Sequence, residues 1–177
     1  LVPDADPEVA IENIVASFTG CAGQRCMAAS VLLAVGEAGD LDPLLERIAQ
    51  RAAAIQLGSE MGPVTTAAAV DRLTGAIGRA AEAGARLLVD GRGQRPEPAA
   101  ATDATGWWIG PTILDGVAPG SEAASEELFG PVLSIVRVPT LEAALRIEGD
   151  NPYGNAATVY TTSGDVARRV MATAEAG

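Results

Sequence analysis

Apolar residues first recur at helical spacing and then gather into unbroken runs, so the chain alternates between two periods. Ile11, Ile14, Val15 and Phe18 fall at i, i+3, i+4 and i+7, which predicts a helix with one buried face. Asp6-Pro7-Glu8 supplies its start: an N-cap carboxylate, Pro at the first helical position and an acid in the first turn. The pattern stops at Gly20, and Ala22-Gly23-Gln24 predicts a turn into a second short helix carrying Cys26 near its beginning. Val31 to Val35 is a continuous apolar run, as expected of a strand buried on both faces.

Asp40 opens the clearest helix. Leu41, Leu44, Leu45, Ile48, Ala52 and Ile55 keep the helical period, and Glu46, Arg47, Gln50 and Arg51 take the outer face. A Gly-containing loop from Leu57 to Val64 follows, then a helix marked by Val70, Leu73 and Ile77 and closed by Gly84. Leu87 to Val89 predicts a short strand, and Gly91 to Gly106, without periodicity, an exposed connection. Trp108 to Leu114 is extended, Val132 to Val136 a buried strand, Thr140 to Ile147 a helix and Ala156 to Tyr160 a strand. Ser163 caps a last helix presenting Val166, Val170 and Ala174. Strands alternating with helices predict a three-layer α/β fold, its mostly parallel twisted sheet covered on both faces, in one domain over 1–177.

Composition narrows the function classes. With 177 residues, 48% of them hydrophobic, the chain can bury a sizeable core. A net charge of −11 argues against nucleic acid or an anionic membrane surface as partner. The absence of any 18-residue apolar run and of a basic stretch at the start predicts a soluble, cytoplasmic protein. Two Cys and no His give no zinc-type metal site and no disulfide scaffold. Leu1-Val2 resembles the tail of a strand and Glu175-Ala-Gly177 a helix stop, so the chain reads as part of a longer one.

The candidate chemistry centres on Cys26. A lone Cys is commonly a small buried hydrophobe. Gly23 and Gln24, however, would weaken a plain core helix, whereas at a turn they let backbone N–H groups face an oxyanion. The expected helix start would also favour thiolate over thiol. Cys21 lacks this setting and reads as structural. The chain has no His and no Lys, all 12 basic side chains being Arg, so a Cys–His pair is unavailable. In Glu126-Glu127-Leu128-Phe129-Gly130-Pro131, two acids before an aromatic could be a solvated helix end, or a Glu for a ribose hydroxyl pair with Phe129 against a flat ring. Asn151-Pro152-Tyr153-Gly154-Asn155 reads first as a plain helix-to-strand turn, and Trp107-Trp108 as packing.

Taken in order, these pieces resemble the aldehyde dehydrogenase superfamily across essentially the whole chain. The carriers are Pro3-Asp4-Ala5-Asp6, Gly23-Gln24-Arg25-Cys26, Met61-Gly62-Pro63, Gly110-Pro111-Thr112, Glu126 to Pro131 and Asn151 to Gly154. The wording Gly-Gln-Arg-Cys-Met-Ala, with Asn155 after Pro-Tyr-Gly, is similar to the CoA-acylating methylmalonate-semialdehyde dehydrogenase group.

The resemblance implies that Cys26 is the nucleophile, forming a thiohemiacetal and then a thioester. It implies NAD as cofactor, with Glu127 at the nicotinamide ribose and Phe129 beside the ring. Coenzyme A would accept the acyl group, giving propanoyl-CoA or acetyl-CoA from methylmalonate or malonate semialdehyde. It implies further that 1–177 is the catalytic domain, with the NAD-binding Rossmann domain and the C-terminal oligomerisation strand outside this chain. The parent enzyme would be a homodimer or homotetramer, and the chain alone would not turn over. Arg25 is the nearest candidate for a carboxylate on the substrate. The rival readings are a hydrolytic aldehyde dehydrogenase of other specificity, a thiol hydrolase (disfavoured without His) and a non-enzymatic binding module.

Overall fold

The computed structural model describes residues 1–97 and 105–176. Its elements are helix α1 (Pro7–Thr19), a 3-10 turn (Gly20–Gly23), β1 (Val31–Val35), α2 (Ala38–Ala53), α3 (Ala67–Glu82), β2 (Arg86–Val89), β3 (Thr112–Asp115), α4 (Glu122–Ser125), β4 (Val132–Val138), α5 (Leu141–Gly149) and α6 (Gly164–Thr173). The strands form one sheet in the order β1-β4-β3-β2. Both pairs made by β4 are parallel, and β2 joins the edge antiparallel to β3.

The apolar strand runs are explained by burial on two faces. Along β4, Val132, Val136 and Val138 enter a core shared with Leu73, Ile77, Ala123, Ala124 and Ala144 of α3, α4 and α5. Leu133 and Ile135, pointing the other way, join Ile11, Ile14, Val15 and Phe18 of α1 and Leu41, Leu45 and Ile48 of α2. The same alternation separates Leu114 from Ile113 on β3. A strand with period 2 and apolar residues at every position must be covered on both sides, and the helices supply the outer layers. In β2, Leu88 and Val89 both meet the α1/α2 core because the pairing with β3 slips between Leu87 and Val89.

Helix ends follow the caps in the sequence. The Asp6 carboxylate accepts from the N–H groups of Glu8 and Val9 at 3.0 and 3.2 Å. Thr66, Thr140 and Ser163 cap α3, α5 and α6 through their hydroxyls. Helix α2 starts at Ala38, ahead of the expected Asp40, with Glu37 at the N-cap.

Two expected elements are absent. No helix follows Gln24: Cys26 lies in a turn between the 3-10 segment and β1, so the helix-dipole support expected for its thiolate does not apply. Residues 156–160 carry no strand. The edge of β1 is taken by Leu1, whose amino group donates to Leu33 O at 3.0 Å and whose carbonyl accepts from Val35 at 2.9 Å. Tyr160 only touches beyond it, accepting from Val2 N at 3.4 Å. Part of the expected connection after Gly91 is also tied down: Gly91 is buried and donates to Thr112 Oγ1 at 3.0 Å. Residues 98–104 of that connection lie outside the described residues.

At the far end of the sheet, Asp115 is fully buried on β3. Arg137 of β4 meets it in a bidentate pair at 2.8 and 3.0 Å and also reaches Asp42 of α2 at 2.7 Å, while Arg86 of β2 pairs with Asp115 from the other side. Burial by itself would raise the Asp115 pKa, but the bonds from Arg137 and Arg86 outweigh it and hold the carboxyl below its ordinary value. Such a depressed group adds stability above its unfolded pKa of about 3.9 and loses it as pH falls through the lower folded value. Asp115→Asn is therefore expected to lose about 2–4 kcal/mol in urea unfolding at neutral pH, the two arginines being partly solvated. The difference from the parent chain should shrink below about pH 4; a gap unchanged down to about pH 2 would contradict this.

Candidate active site

The loop that carries Cys26 and the Glu126–Pro131 segment, about a hundred residues apart in the chain, are in backbone contact at Gly23 and Gly130. A Cβ built on Gly23 would lie 2.1 Å from the Gly130 carbonyl oxygen and 2.8 Å from that of Phe18. Gly23 also has φ +68, so both space and backbone conformation call for glycine there. Gly130 in turn lies over Leu73 of α3, a Cβ there meeting both Leu73 methyls at 2.4 Å.

Backbone strain is concentrated at this junction. Among the described residues, the non-glycine residues with positive φ are Cys21, Ala22 and Phe129. Each left-handed residue costs on the order of 1 kcal/mol, so all three must be held by what surrounds them. The expectation that Cys21 is structural meets a different placement: it is an exposed, left-handed residue of the 3-10 turn.

The Cys26 loop is pinned from several directions. The Gln24 side chain accepts from Thr65 N at 3.0 Å and from Thr65 Oγ1 at 3.1 Å, and donates to Cys21 O at 3.3 Å. Ser17 Oγ accepts from Ala29 N at 3.0 Å. Arg25 turns back to the end of α1, donating to Ala16 O and Ser17 O at 3.2 and 2.8 Å. Its guanidinium thus caps the last turn of α1, where Ala16 O also accepts from Gly20 N, and a substrate carboxylate would have to draw it away from these carbonyls. Asn155 Nδ2 donates to Cys26 O at 2.8 Å. Cys26 itself is an exposed free thiol, and its N–H has no acceptor among the described residues.

The acidic segment is fixed from below and open above. Glu126 is the C-cap of α4. Leu128 is buried, and its carbonyl accepts from Arg72 of α3. Glu127 is exposed and has no ion pair among the described residues. The left-handed turn leaves Phe129 41% exposed, where a side chain of this size would ordinarily be packed. An unpaired carboxylate and an unpacked ring on one short segment fit a ligand carrying a hydroxyl pair and a flat ring.

The Asn151–Asn155 turn, read from sequence as a plain connection, links α4 to the cysteine loop. Asn151 Oδ1 accepts from Tyr153 N at 2.9 Å, closing the turn, and its amide donates to Ala124 O of α4 at 3.3 Å. Asn155 then reaches the cysteine loop. Other motifs that carry the resemblance are scaffold. Gly110 donates to Gly91 O at 2.8 Å, with the two backbones too close for a Cβ at Gly91, and Met61 is buried. Sequence reading did not find Ser17, Thr65 or Arg72, because each acts through hydrogen bonds to residues distant in the chain that no local pattern announces.

The model of the aldehyde dehydrogenase family matches residues 1–177. A Rattus norvegicus relative, the mitochondrial methylmalonate-semialdehyde/malonate-semialdehyde dehydrogenase [acylating], is 39% identical over 96% of this chain and 31% of its own length. A solved methylmalonate-semialdehyde dehydrogenase from Oceanimonas doudoroffii superposes with a TM-score of 0.89 at 34% identity, over 99% of this chain and 36% of that one. A 1-pyrroline-5-carboxylate dehydrogenase from Thermus, solved with bound NAD, has a TM-score of 0.85 at 31% identity, over 99% and 33%. The chain thus spans about a third of the length of these relatives. With the family model matching residues 1–177 and a solved relative superposing over 99% of the chain, the chain belongs to the aldehyde dehydrogenase family.

Proposed function

We propose that the chain is the cysteine-bearing catalytic domain of a longer, NAD-dependent aldehyde dehydrogenase that acylates coenzyme A, with methylmalonate or malonate semialdehyde as substrate. The observation that carries this is the contact between the Cys26 loop and the Glu127–Phe129 segment through Gly23 and Gly130. The names of the relatives support the substrate class, and the word acylating in the rat enzyme's name supports the acceptor.

In this reading the Cys26 sulfur attacks the aldehyde carbon, and the oxyanion that develops is held in part by the free N–H of Cys26. Glu127 would accept from the ribose hydroxyls of NAD, and Phe129 would lie beside the nicotinamide. NAD, when bound, supplies the acceptor for the hydride leaving the thiohemiacetal carbon. The resulting thioester on Cys26 is transferred to the thiol of coenzyme A, with loss of carbon dioxide from the semialdehyde carboxylate. The Rossmann domain and the oligomerisation strand belong to the remainder of the longer protein, a homodimer or homotetramer. A cytoplasmic, reducing setting keeps Cys21 and Cys26 free. Within the described residues, no helix is long and apolar enough to cross a membrane.

The domain reading has a direct test. The 177-residue chain given semialdehyde, NAD and coenzyme A is expected to fold but to form no NADH in steady state; sustained NADH formation would refute it. The acceptor is tested in the longer protein by product analysis. Acyl-CoA equal to NADH supports acylation, and free acid with no CoA dependence would replace it with the hydrolytic alternative.

A further inference from the structure

We infer that Asn155 is a positioning residue for the nucleophile: by holding the Cys26 carbonyl it fixes the middle peptide of the Arg25–Ala28 turn, and through that turn the preceding peptide, whose N–H (that of Cys26) faces the oxyanion on the carbonyl group bound to the Cys26 sulfur. This rests on the reading of Cys26 as nucleophile. The donor and acceptor are 129 residues apart, and the bond of 2.8 Å is direct. No other side chain among the described residues donates to that carbonyl.

The conformation of Cys26 is defined by the peptide planes on its two sides. On the N-terminal side, Arg25 is anchored to the α1 carbonyls and Gln24 to Thr65. The Cys26 N–H belongs to the Arg25–Cys26 peptide, whose carbonyl accepts from Ala28 N at 3.1 Å and so closes a turn about Cys26–Met27; Ala29 N donates to Ser17 Oγ at 3.0 Å, and neither bond holds the Cys26–Met27 peptide at the middle of the turn. Asn155 supplies the missing restraint, from a turn whose other asparagine is tied to α4 beside the acidic segment. An oxyanion donor stabilises a transition state only when its N–H is already aimed at the developing charge, and an error near 1 Å removes most of the effect.

Two small reagents separate this role from general support of the loop. With p-nitrophenyl acetate the Cys26 thiolate attacks the ester carbonyl and forms a C–S bond. The carbonyl oxygen becomes an oxyanion, and p-nitrophenolate leaves with the electron pair of the broken C–O bond. With iodoacetamide a C–S bond replaces C–I and no oxyanion forms. Both reactions consume the same thiolate, so their ratio reports oxyanion alignment and is insensitive to thiolate fraction or exposure.

The experiment measures both rates across pH on the 177-residue chain carrying Cys21→Ser, with Asn155 intact or replaced by Leu, Asp or Gln. Asn155→Leu and Asn155→Asp, which cannot donate, are expected to lower acylation about tenfold relative to alkylation. Asn155→Gln, which can still donate, should recover part of the loss. Asn155 is exposed on a turn, and equal melting temperatures identify variants that keep the fold. The proposal is overturned if both rates change together or neither changes in the Leu and Asp variants. If Cys26 with Asn155 intact is acylated no better, relative to alkylation, than Cys21 in a Cys26→Ser chain, the nucleophile reading itself fails and takes the proposal with it. Preferential acylation at Cys26 without an effect of Asn155 removes only the proposal.

Discussion

Gly23→Ala is expected to destabilise the chain by about 2–4 kcal/mol and to separate the two loops that make the site. The left-handed backbone alone costs an alanine about 1 kcal/mol. The added Cβ would fall 2.1 Å from the Gly130 carbonyl oxygen, and both partners in that clash are backbone. Nothing flexible can move aside, so relief requires the Cys26 loop to lift from the Gly130-Pro131 segment, adding about 1–3 kcal/mol of packing strain. Gly39 provides the control. It lies in α2 with open space around it, so Gly39→Ala should be neutral or stabilising by up to about 1 kcal/mol. Urea unfolding of both variants decides it, and equal stabilities for Gly23→Ala and Gly39→Ala would remove the close-packed junction from the account.

Cys26→Ala is expected to lower kcat/KM of the longer enzyme by at least about 10⁴-fold, since a covalent route has no substitute nucleophile at that point. Folding should be unaffected, because Cys26 is exposed, sits in a turn and contributes nothing to either core. Cys21→Ser should keep most of the activity. The same comparison separates the enzyme reading from a binding module, for which loss of the Cys26 thiol would change no rate.

What the sequence discloses depends on how local the cause is. The core helices could be read at once because Ile14 and Phe18, or Leu41 and Leu45, declare a buried face by spacing alone. The three layers followed from continuous runs such as Val132 to Val136, which only a doubly covered strand can use. The helix expected at Cys26 failed because its start was inferred from one turn signal, and left-handed Cys21 and Ala22 bend the chain differently. The strand expected at 156–160 failed because the β1 edge was already satisfied by Leu1. For the proposed site, residue type and motif order name Cys26, Glu127 and Phe129 as candidates. Their supports were not legible: Asn155 on the Cys26 carbonyl and Arg72 on the Leu128 carbonyl are contacts over 129 and 56 residues. Such bonds leave no periodic trace in a sequence.

Arginine economy is part of the same picture. With no Lys or His, the chain uses Arg both for ion pairs, such as Arg79 with Glu122 at 2.6 Å, and for carbonyl caps, as at Arg25. The bidentate fork suits both tasks.

The central claim is that Cys26 carries the acyl group. The longer protein, mixed with semialdehyde and NAD but without coenzyme A, is quenched in acid within one turnover, digested and weighed by mass spectrometry. The account predicts an acyl adduct on the peptide containing Cys26, released on addition of coenzyme A, with Cys21 unmodified. NADH formed in that interval with the Cys26 peptide unmodified would contradict it.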